Sequence, residues 1–155
     1  MIRRAKKEDI SRLLDMLSQV LEIHAEIRPD IFNSGATKYS EEELEKMIED
    51  DDNPIFVITD DNDYVTGYAF CEVHTPHFKM TMKPNKILFI DDFCIDEKYR
   101  HQHYGKTLFD FLKNLAKDMG CYEIALYAWA GNENAQKFYE KMGLKVKSQI
   151  LEYIV

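Results

Sequence analysis

The sequence predicts an α/β fold of the α+β kind, in which helices flank a mixed, mostly antiparallel central sheet. Three observations predict it: amphipathic helical patterns near the start, alternating strand patterns in the middle, and a strand, helix, strand, helix order in the second half. With 155 residues, 45% of them hydrophobic, the chain suits one core and leaves no room for a second. We therefore expect a single domain over residues 1–155.

The first 50 residues predict one strand and two helices. Residues 1–4 suit a strand, and residues 8–21 place their apolar side chains at helical spacing. Ser40 and Glu43 form a capping box, which predicts that a second helix begins over EEELEKMIED. The segment between these helices contains a proline, a glycine and several turn formers, so we expect a flap with a loop in it.

The middle of the chain predicts three strands. PIFVITD and VTGYAFCEV alternate β-branched and aromatic residues on either side of an Asp-Asp-Asn-Asp turn, which is typical of an antiparallel hairpin. The third strand is KILFIDDFCI. Together they form the centre of the predicted sheet.

The second half alternates helices and strands. Helical spacing covers residues 105–119 and stops at Gly120, after which YEIALYAWA suits a strand. KFYEKM predicts a last helix that ends at Gly143. LKVKSQILEYIV then predicts one or two short closing strands, and its apolar edge permits a homodimer.

Composition narrows the classes of partner. A net charge of -8 argues against nucleic acid, because phosphate binding needs clustered Lys and Arg. The acidic balance weakly suits a cationic substrate, although plain solubility is the simpler explanation of the same charge. The N-terminus lacks an apolar signal region and no stretch approaches the ~20 apolar residues of a membrane span, so we expect no membrane partner and a cytoplasmic location. Three widely spaced cysteines without a CxxC pair predict reduced thiols and no metal site.

A basic turn follows the third central strand. EKYRHQHYGK contains Arg100, two histidines, Gly105 and Lys106 where the strand gives way to a helix N-terminus. Free amides and positive charge there suit a multiply charged phosphate, and the exposed edge of the strand can pair with an extended, amide-bearing ligand. Coenzyme A has both parts. An ordinary turn with solvated charges would explain the same residues.

The turn also resembles a known motif. DEKYRHQHYGKTLFDFL is similar to the acetyl-CoA loop of the GNAT superfamily of N-acetyltransferases, whose pattern is Arg or Gln, two residues, Gly, one residue, and Gly or Ala. Arg100 and Gly105 match, whereas His103 stands at the first glycine of the family. A bulky residue is tolerated there if its φ is negative. The resemblance implies acetyl-CoA as cofactor, bound by Phe93, Cys94, Ile95, Arg100, His101, Gln102, His103, Tyr104, Gly105, Lys106 and Asn132.

A second segment resembles the same superfamily. NENAQKFYEKMGL matches its second signature at Asn132, Ala135, Phe138, Tyr139 and Gly143, and the resemblance covers about residues 54–155. It implies a GNAT-like fold and an acetyl-CoA-dependent N-acetyltransferase that works by direct attack of an amine. The phenol of Tyr139 would donate a proton to the departing thiolate, since its ordinary pKa of about 10 suits that role.

The proton acceptor is one of two neighbouring aspartates. Adjacent strand residues point to opposite faces, so at most one of Asp91 and Asp92 should face the amine, although a bulge could exchange them. We predict Asp91 as the base, because FIDDF resembles the polyamine acetyltransferase branch. Asp92 is expected to bond a neighbouring loop or to contact substrate. A backbone N–H between Phe93 and Ile95 would polarise the carbonyl.

The sequence says less about the acetyl acceptor than about the cofactor. His24 and Arg28 lie in the flap, which resembles the acceptor-binding part of the superfamily, and they are substrate-binding candidates. Ordinary helix termination by Pro29 and Asp30 explains the same residues and is the simpler interpretation. We expect a small cationic amine or an exposed protein amine as acceptor. The alternative is a non-catalytic acyl-CoA-binding regulatory module.

Overall fold

Five strands form one sheet in a computed structural model that describes residues 1–155. The strands are β1 Ile2–Arg4, β2 Ile55–Thr59, β3 Val65–His74, β4 Ile87–Ile95 and β5 Glu123–Leu126. The helices are α1 Ile10–Ile27, α2 Glu41–Ile48, α3 Tyr104–Asp118 and α4 Glu133–Lys141. None of the helices combines the length and the apolar character needed to cross a membrane.

The sheet is mixed and mostly antiparallel, as predicted. Its order is β1-β2-β3-β4-β5, with antiparallel pairing from β1 to β4 and parallel pairing between β4 and β5. One core layer lies between the sheet and the first two helices, and includes Leu13, Leu44 and Tyr68. The other lies under α3 and includes Leu88 and Leu108. Burial of these apolar side chains on both faces of the sheet fixes how the helices dock.

Local signals in the sequence are confirmed. The Ser40 hydroxyl accepts a hydrogen bond from the Glu43 amide at 3.1 Å, and the Glu43 carboxylate accepts one from the Ser40 amide at 2.7 Å, so the capping box begins α2. Gly120 has a φ of +69° directly after α3. This left-handed conformation suits glycine and ends the helix.

The predicted closing strands are wrong. Residues 145–155 form no strand, and none of their backbone groups is hydrogen-bonded to the rest of the backbone. β5 is also only four residues long, shorter than the YEIALYAWA pattern indicates. A strand needs a paired neighbour, and within one chain this segment has none.

Two irregularities shape β4. Pairing with β5 ends at Ile90 and Leu126, so the rest of β4 has an open edge on that side. Pairing with β3 matches Cys71 with Ile90 and Phe70 with Asp92, which leaves Asp91 as an extra residue in a bulge. Both irregularities lie at the residues that the sequence marks as the site.

Candidate functional site

The open edge of β4 presents unpaired backbone groups. The amide of Asp96 donates to the Thr66 carbonyl at 2.9 Å, so alternate residues of β4 bond β3 and the residues between them face the other way. Phe93 and Ile95 are the residues that face the open edge, and the Ile95 carbonyl accepts the Nε of Arg100 at 3.0 Å. An extended amide-bearing chain could therefore add to β4 here.

A run of free amides follows this edge. The six backbone N–H groups from His101 to Lys106 have no acceptor within the protein, and the first intrahelical bond of α3 runs from Thr107 to His103. These amides surround the positive end of a 15-residue helix. Free donors together with the helix dipole form the arrangement that binds phosphates.

The backbone of this turn differs from the expectation of a negative φ at His103. His101 has a φ of 62° and His103 a φ of 68°, both in the left-handed region. Left-handed residues that alternate with ordinary ones turn successive N–H groups toward one side, which makes an anion-binding concavity. The geometry that glycine favours is thus retained with histidine in its place, at a conformational cost.

We expect His103→Gly to stabilise the protein and to tighten acetyl-CoA binding. The substitution removes a left-handed side-chain penalty of about 1 kcal/mol and opens the approach to the backbone. Thermal unfolding and calorimetric titration with acetyl-CoA would measure both effects. The matched control is Gln102→Gly, whose φ is not positive and which should lower stability. Weaker acetyl-CoA binding by His103→Gly would show that the imidazole itself contacts the phosphates.

An aromatic cluster borders the open edge. The Phe93 ring lies 5.6 Å from that of Phe138 and 6.3 Å from that of Tyr139. Phe138 also limits the space at Gly105, where an added Cβ would meet its ring at 3.1 Å. This glycine therefore allows the start of α3 to pack closely against α4.

Tyr139 has a free hydroxyl in this cluster. Its hydroxyl makes no hydrogen bond within the protein, and burial raises its pKa, with a further increase from the negative charge of Asp92. The phenol therefore stays protonated near neutral pH and has a proton to donate. Asn132 has a structural role in the same region, since its side chain accepts the Ala135 amide at 3.3 Å and caps α4.

The two aspartates share a lysine. The ammonium of Lys38, from the flap, lies 3.1 Å from Oδ2 of Asp91 and 2.8 Å from Oδ2 of Asp92. Both carboxylates therefore face this ammonium, because the bulge at Asp91 interrupts the alternation of side chains along β4. Burial disfavours the charged form of Lys38, but the charges of Asp92 and Asp91 outweigh burial and raise its pKa.

The two carboxylates differ in their remaining partners. The Asp92 side chain is only 7% exposed, and its other oxygen accepts the hydroxyl of buried Tyr68 at 3.0 Å. Asp91 is more exposed, at 27%, and the Tyr39 hydroxyl donates to the same oxygen that Lys38 contacts, at 2.9 Å. The other oxygen of Asp91 is free. Asp91 therefore keeps one free acceptor oxygen, while Asp92 is held on both sides.

An aromatic wall combines His24, Phe32 and Trp129. His24 was expected in the flap but lies in the last two turns of α1, Phe32 lies in the loop after α1, and Trp129 lies between β5 and α4. The His24 ring lies 5.2 Å from Phe32 and 6.3 Å from Trp129, and burial lowers the pKa of His24. Arg28 points elsewhere and forms ion pairs with Asp30 and Glu152. The structure thus brings His24, but not the guanidinium of Arg28, to the aromatic wall.

Sequence reasoning missed four residues of this site. Lys38 and Tyr39 come from the flap, Tyr68 from β3, and Phe32 from the loop after α1. The available signal for Lys38 and Tyr39 was their position directly before the Ser40 cap, where their polar groups must point either back toward the sheet or out to solvent. Nothing local distinguishes these two directions.

Comparison with known proteins identifies the family. Residues 17–144 match the model of the Acetyltransferase (GNAT) family. The chain belongs to this family of acetyltransferases. Glucosamine 6-phosphate N-acetyltransferase from Arabidopsis thaliana is 30% identical over 117 residues, which are 70% of this chain and 73% of that protein. The GNAT resemblance seen in the sequence is thereby confirmed, as is its assignment as an enzyme.

A further relative and two solved structures support the family and the fold. The uncharacterised N-acetyltransferase YycN from Bacillus subtilis strain 168 is 36% identical over 81 residues, which are 52% of this chain and about half, 48%, of that protein. A mutant of the BH1408 protein from Bacillus halodurans superposes with a TM-score of 0.95 at 24% identity, covering 100% of this chain and 99% of its own. The structure of the Arabidopsis enzyme gives a TM-score of 0.71. The GNAT fold predicted from the sequence is confirmed.

Proposed function

We propose that residues 1–155 form one acetyltransferase domain that transfers acetyl from acetyl-CoA to a primary amine by direct attack. The observation that carries this proposal is the arrangement along β4: the Asp91 and Asp92 carboxylates hold an ammonium beside an open strand edge, and the free amides of residues 101–106 follow. The open edge suits the pantetheine amides, and the turn suits the pyrophosphate. Acceptor, thioester and phosphates would lie in sequence along one strand.

The chemistry follows from the side chains. Asp91 takes a proton from the acceptor ammonium, and the neutral nitrogen then attacks the thioester carbonyl carbon. A backbone N–H near Phe93 stabilises the negative charge that develops on the oxygen. As the C–S bond breaks, the electron pair leaves with sulfur and Tyr139 donates its proton to the thiolate. The attacking nitrogen then loses its remaining extra proton, which returns through solvent to the Tyr139 phenolate, and Asp91 releases its proton to solvent. The products are an amide and free coenzyme A.

A cationic acceptor is the first candidate. Lys38 already holds an ammonium against the carboxylate pair, and the wall formed by His24, Phe32 and Trp129 could cover an apolar or hydroxylated acceptor body. A small polyamine-like cation or a lysine side chain fits this description. Its ammonium would displace Lys38 from the pair.

A phosphorylated amino sugar is the second candidate. The Arabidopsis relative is named for glucosamine 6-phosphate. A phosphate needs a cation, and Lys38 is the cation at the carboxylate pair. The two candidates assign opposite roles to Lys38, which acts as a competitor for a cationic acceptor and as a ligand for a phosphate.

We expect Lys38→Met to lower the KM for a linear polyamine about tenfold, because a competing ammonium is removed from the carboxylates. Initial rates at saturating acetyl-CoA, with a polyamine and with glucosamine 6-phosphate, would measure the effect. Lys79→Met, a change at an exposed lysine of the loop before β4, is the matched control and should have no effect. A raised KM for glucosamine 6-phosphate alone would favour the second candidate.

The proposal as a whole is tested by acetyl-CoA turnover with a panel of amines: a polyamine, glucosamine 6-phosphate and a lysine-containing peptide. Free coenzyme A should appear faster with at least one of them. Release that no amine accelerates, with acetyl-CoA still bound, would favour the acyl-CoA-binding module. A cytoplasmic location belongs to the proposal, and three free cysteines support a reducing compartment.

A further inference from the structure

The chain leaves β4 through a segment that makes few backbone hydrogen bonds of its own. Residues 97–106, the cofactor turn, contain the two positive φ angles and the six free amides described above. Only two amides of the turn, those of Tyr99 and Arg100, donate to backbone carbonyls, at 2.9 and 3.5 Å. A segment with so few internal bonds is not held in one conformation by its own backbone.

A buried carboxylate, that of Asp96, ties the cofactor turn to α1. Its side chain is only 4% exposed, and one of its oxygens accepts the Lys98 amide of the turn at 2.8 Å. The other oxygen accepts the guanidinium of Arg12 and, at 3.3 Å, the side-chain amide of Gln19. Gln19 in turn accepts the Glu97 amide at 3.5 Å. Because Arg12 and Gln19 both belong to α1, the turn is anchored on that helix.

Asp96 carries its charge within this network. Burial disfavours the charged form, but hydrogen bonds from Arg12 and from the Lys98 amide outweigh burial and lower the pKa of Asp96. Arg12 is also fixed, because its Nε donates to the Val65 carbonyl at 3.1 Å. A buried ion pair adds little net stability, since lost hydration offsets the attraction between the charges. Its main effect would then be on the position of the turn relative to α1.

We propose that Asp96 is a positioning residue, which holds the cofactor turn against α1 so that the free amides keep the arrangement that binds the pyrophosphate. The inference rests on the proposed function for the identity of the ligand. Asp96 acts through the Lys98 amide, since its own oxygens are occupied by protein groups. α1 also carries His24, near Trp129 in the aromatic wall. One helix would thus set the position of the cofactor relative to the acceptor.

Asp96→Asn tests this role with little change of shape. Asparagine keeps an oxygen for the Lys98 amide but presents an NH2 group to Arg12 and Gln19, which are themselves donors there. A turn that holds the binding arrangement only part of the time binds its ligand more weakly by that fraction. We expect the Kd for acetyl-CoA, from calorimetric titration, to rise at least about tenfold, while kcat at saturating acetyl-CoA stays within about twofold of native.

The matched control is Asp9→Asn. Asp9 is also buried, with a side chain 6% exposed, and it also binds an arginine and a backbone amide, those of Arg3 at 2.7 Å and Lys6 at 2.9 Å. It contacts β1 and not the cofactor turn. Thermal unfolding should show a comparable loss of stability in both variants, but the Kd for acetyl-CoA should be unchanged in Asp9→Asn. An unchanged Kd in Asp96→Asn, or an equal rise in Asp9→Asn, would overturn the inference.

A milder variant, Gln19→Met, covers the case in which Asp96→Asn does not fold. It keeps the length of the side chain and the ion pair of Asp96 with Arg12, but it removes the contacts of Gln19 with Asp96 and Glu97. The Kd for acetyl-CoA should rise about threefold, in keeping with the loss of ordinary hydrogen bonds. An unchanged Kd in this variant, with Asp96→Asn unfolded, would also overturn the inference.

Hydrogen exchange of the ligand-free chain separates this inference from the proposed function. The Lys98 and Tyr99 amides should exchange at least about tenfold faster in Asp96→Asn than in the native chain, and at the native rate in Asp9→Asn. If the native chain binds no acetyl-CoA, this result would support the link to α1 and show that the cofactor assignment is wrong. Equal exchange rates in Asp96→Asn and the native chain would overturn the link, even if acetyl-CoA is turned over.

Discussion

Replacement of Tyr139 by phenylalanine is expected to lower kcat about a hundredfold while acetyl-CoA affinity changes little, in the range for loss of a general acid. The hydroxyl is unbonded within the protein, and burial raises its pKa, so its removal deprives the thiolate of a proton donor without breaking a structural contact. The ring, which packs on Phe93 and Phe138, is kept. Single-turnover rates of coenzyme A release, with acetyl-CoA titration by calorimetry, would separate the two parameters.

The control for this change is Tyr64→Phe. Tyr64 is 47% exposed, its hydroxyl has no bonded partner, and it packs with Arg12 and Tyr99 away from the site. Its kcat should equal that of the native chain. An unchanged kcat in Tyr139→Phe would remove this residue from the mechanism and leave solvent as the proton donor.

Asp91→Asn is expected to lower kcat/KM for the amine about a hundredfold near neutral pH, because asparagine cannot take the ammonium proton. The deficit should shrink as the pH rises toward the pKa of the amine, since more acceptor is already neutral. This pH dependence distinguishes a lost base from a lost contact. Rates from neutral to alkaline pH, with the native chain measured in parallel, would show it.

Two further substitutions serve as controls for Asp91→Asn. Glu72→Gln changes an acidic side chain on the neighbouring strand that pairs with His74 and not with Lys38, and it should leave the rate unchanged. Asp92→Asn should lower stability, because it weakens the contacts of Lys38 and Tyr68 in a buried place. If Asp92→Asn shows the pH-dependent loss and Asp91→Asn does not, the base is Asp92.

Much of the fold was predictable because its signals are local. Helical spacing, the Ser40 capping box and the alternating hairpin strands each depend on neighbouring residues, and each gives the predicted element. The first helix nevertheless continues to Ile27, past its predicted end at Leu21. The helix N-terminus after β4 also follows from the motif order, since the strand runs into a basic turn and then into a helical pattern. These features need no knowledge of distant contacts.

The rest of the site depends on contacts that the sequence does not specify. The direction of Asp91 and Asp92 follows from a bulge in the pairing with β3, and Lys38 reaches them across more than fifty positions of the chain. The positive φ at His103 is unfavourable for a residue with a side chain, so the histidine in the sequence argues against this conformation. The closing strands were wrong because residues 145–155 pair with no strand, although the outer edge of β5 is open, and a sequence pattern does not show whether pairing occurs.

The most direct test is the balance of products in one experiment. After incubation with acetyl-CoA and the preferred amine, mass spectrometry would quantify N-acetylated amine, free coenzyme A and acetyl groups on the protein. Direct transfer predicts equal amounts of acetylated amine and free coenzyme A, no acetylated protein, and a loss of both products in Tyr139→Phe and Asp91→Asn. Binding of acetyl-CoA without any acetylated amine, or an acetyl group that first accumulates on the protein, would contradict it.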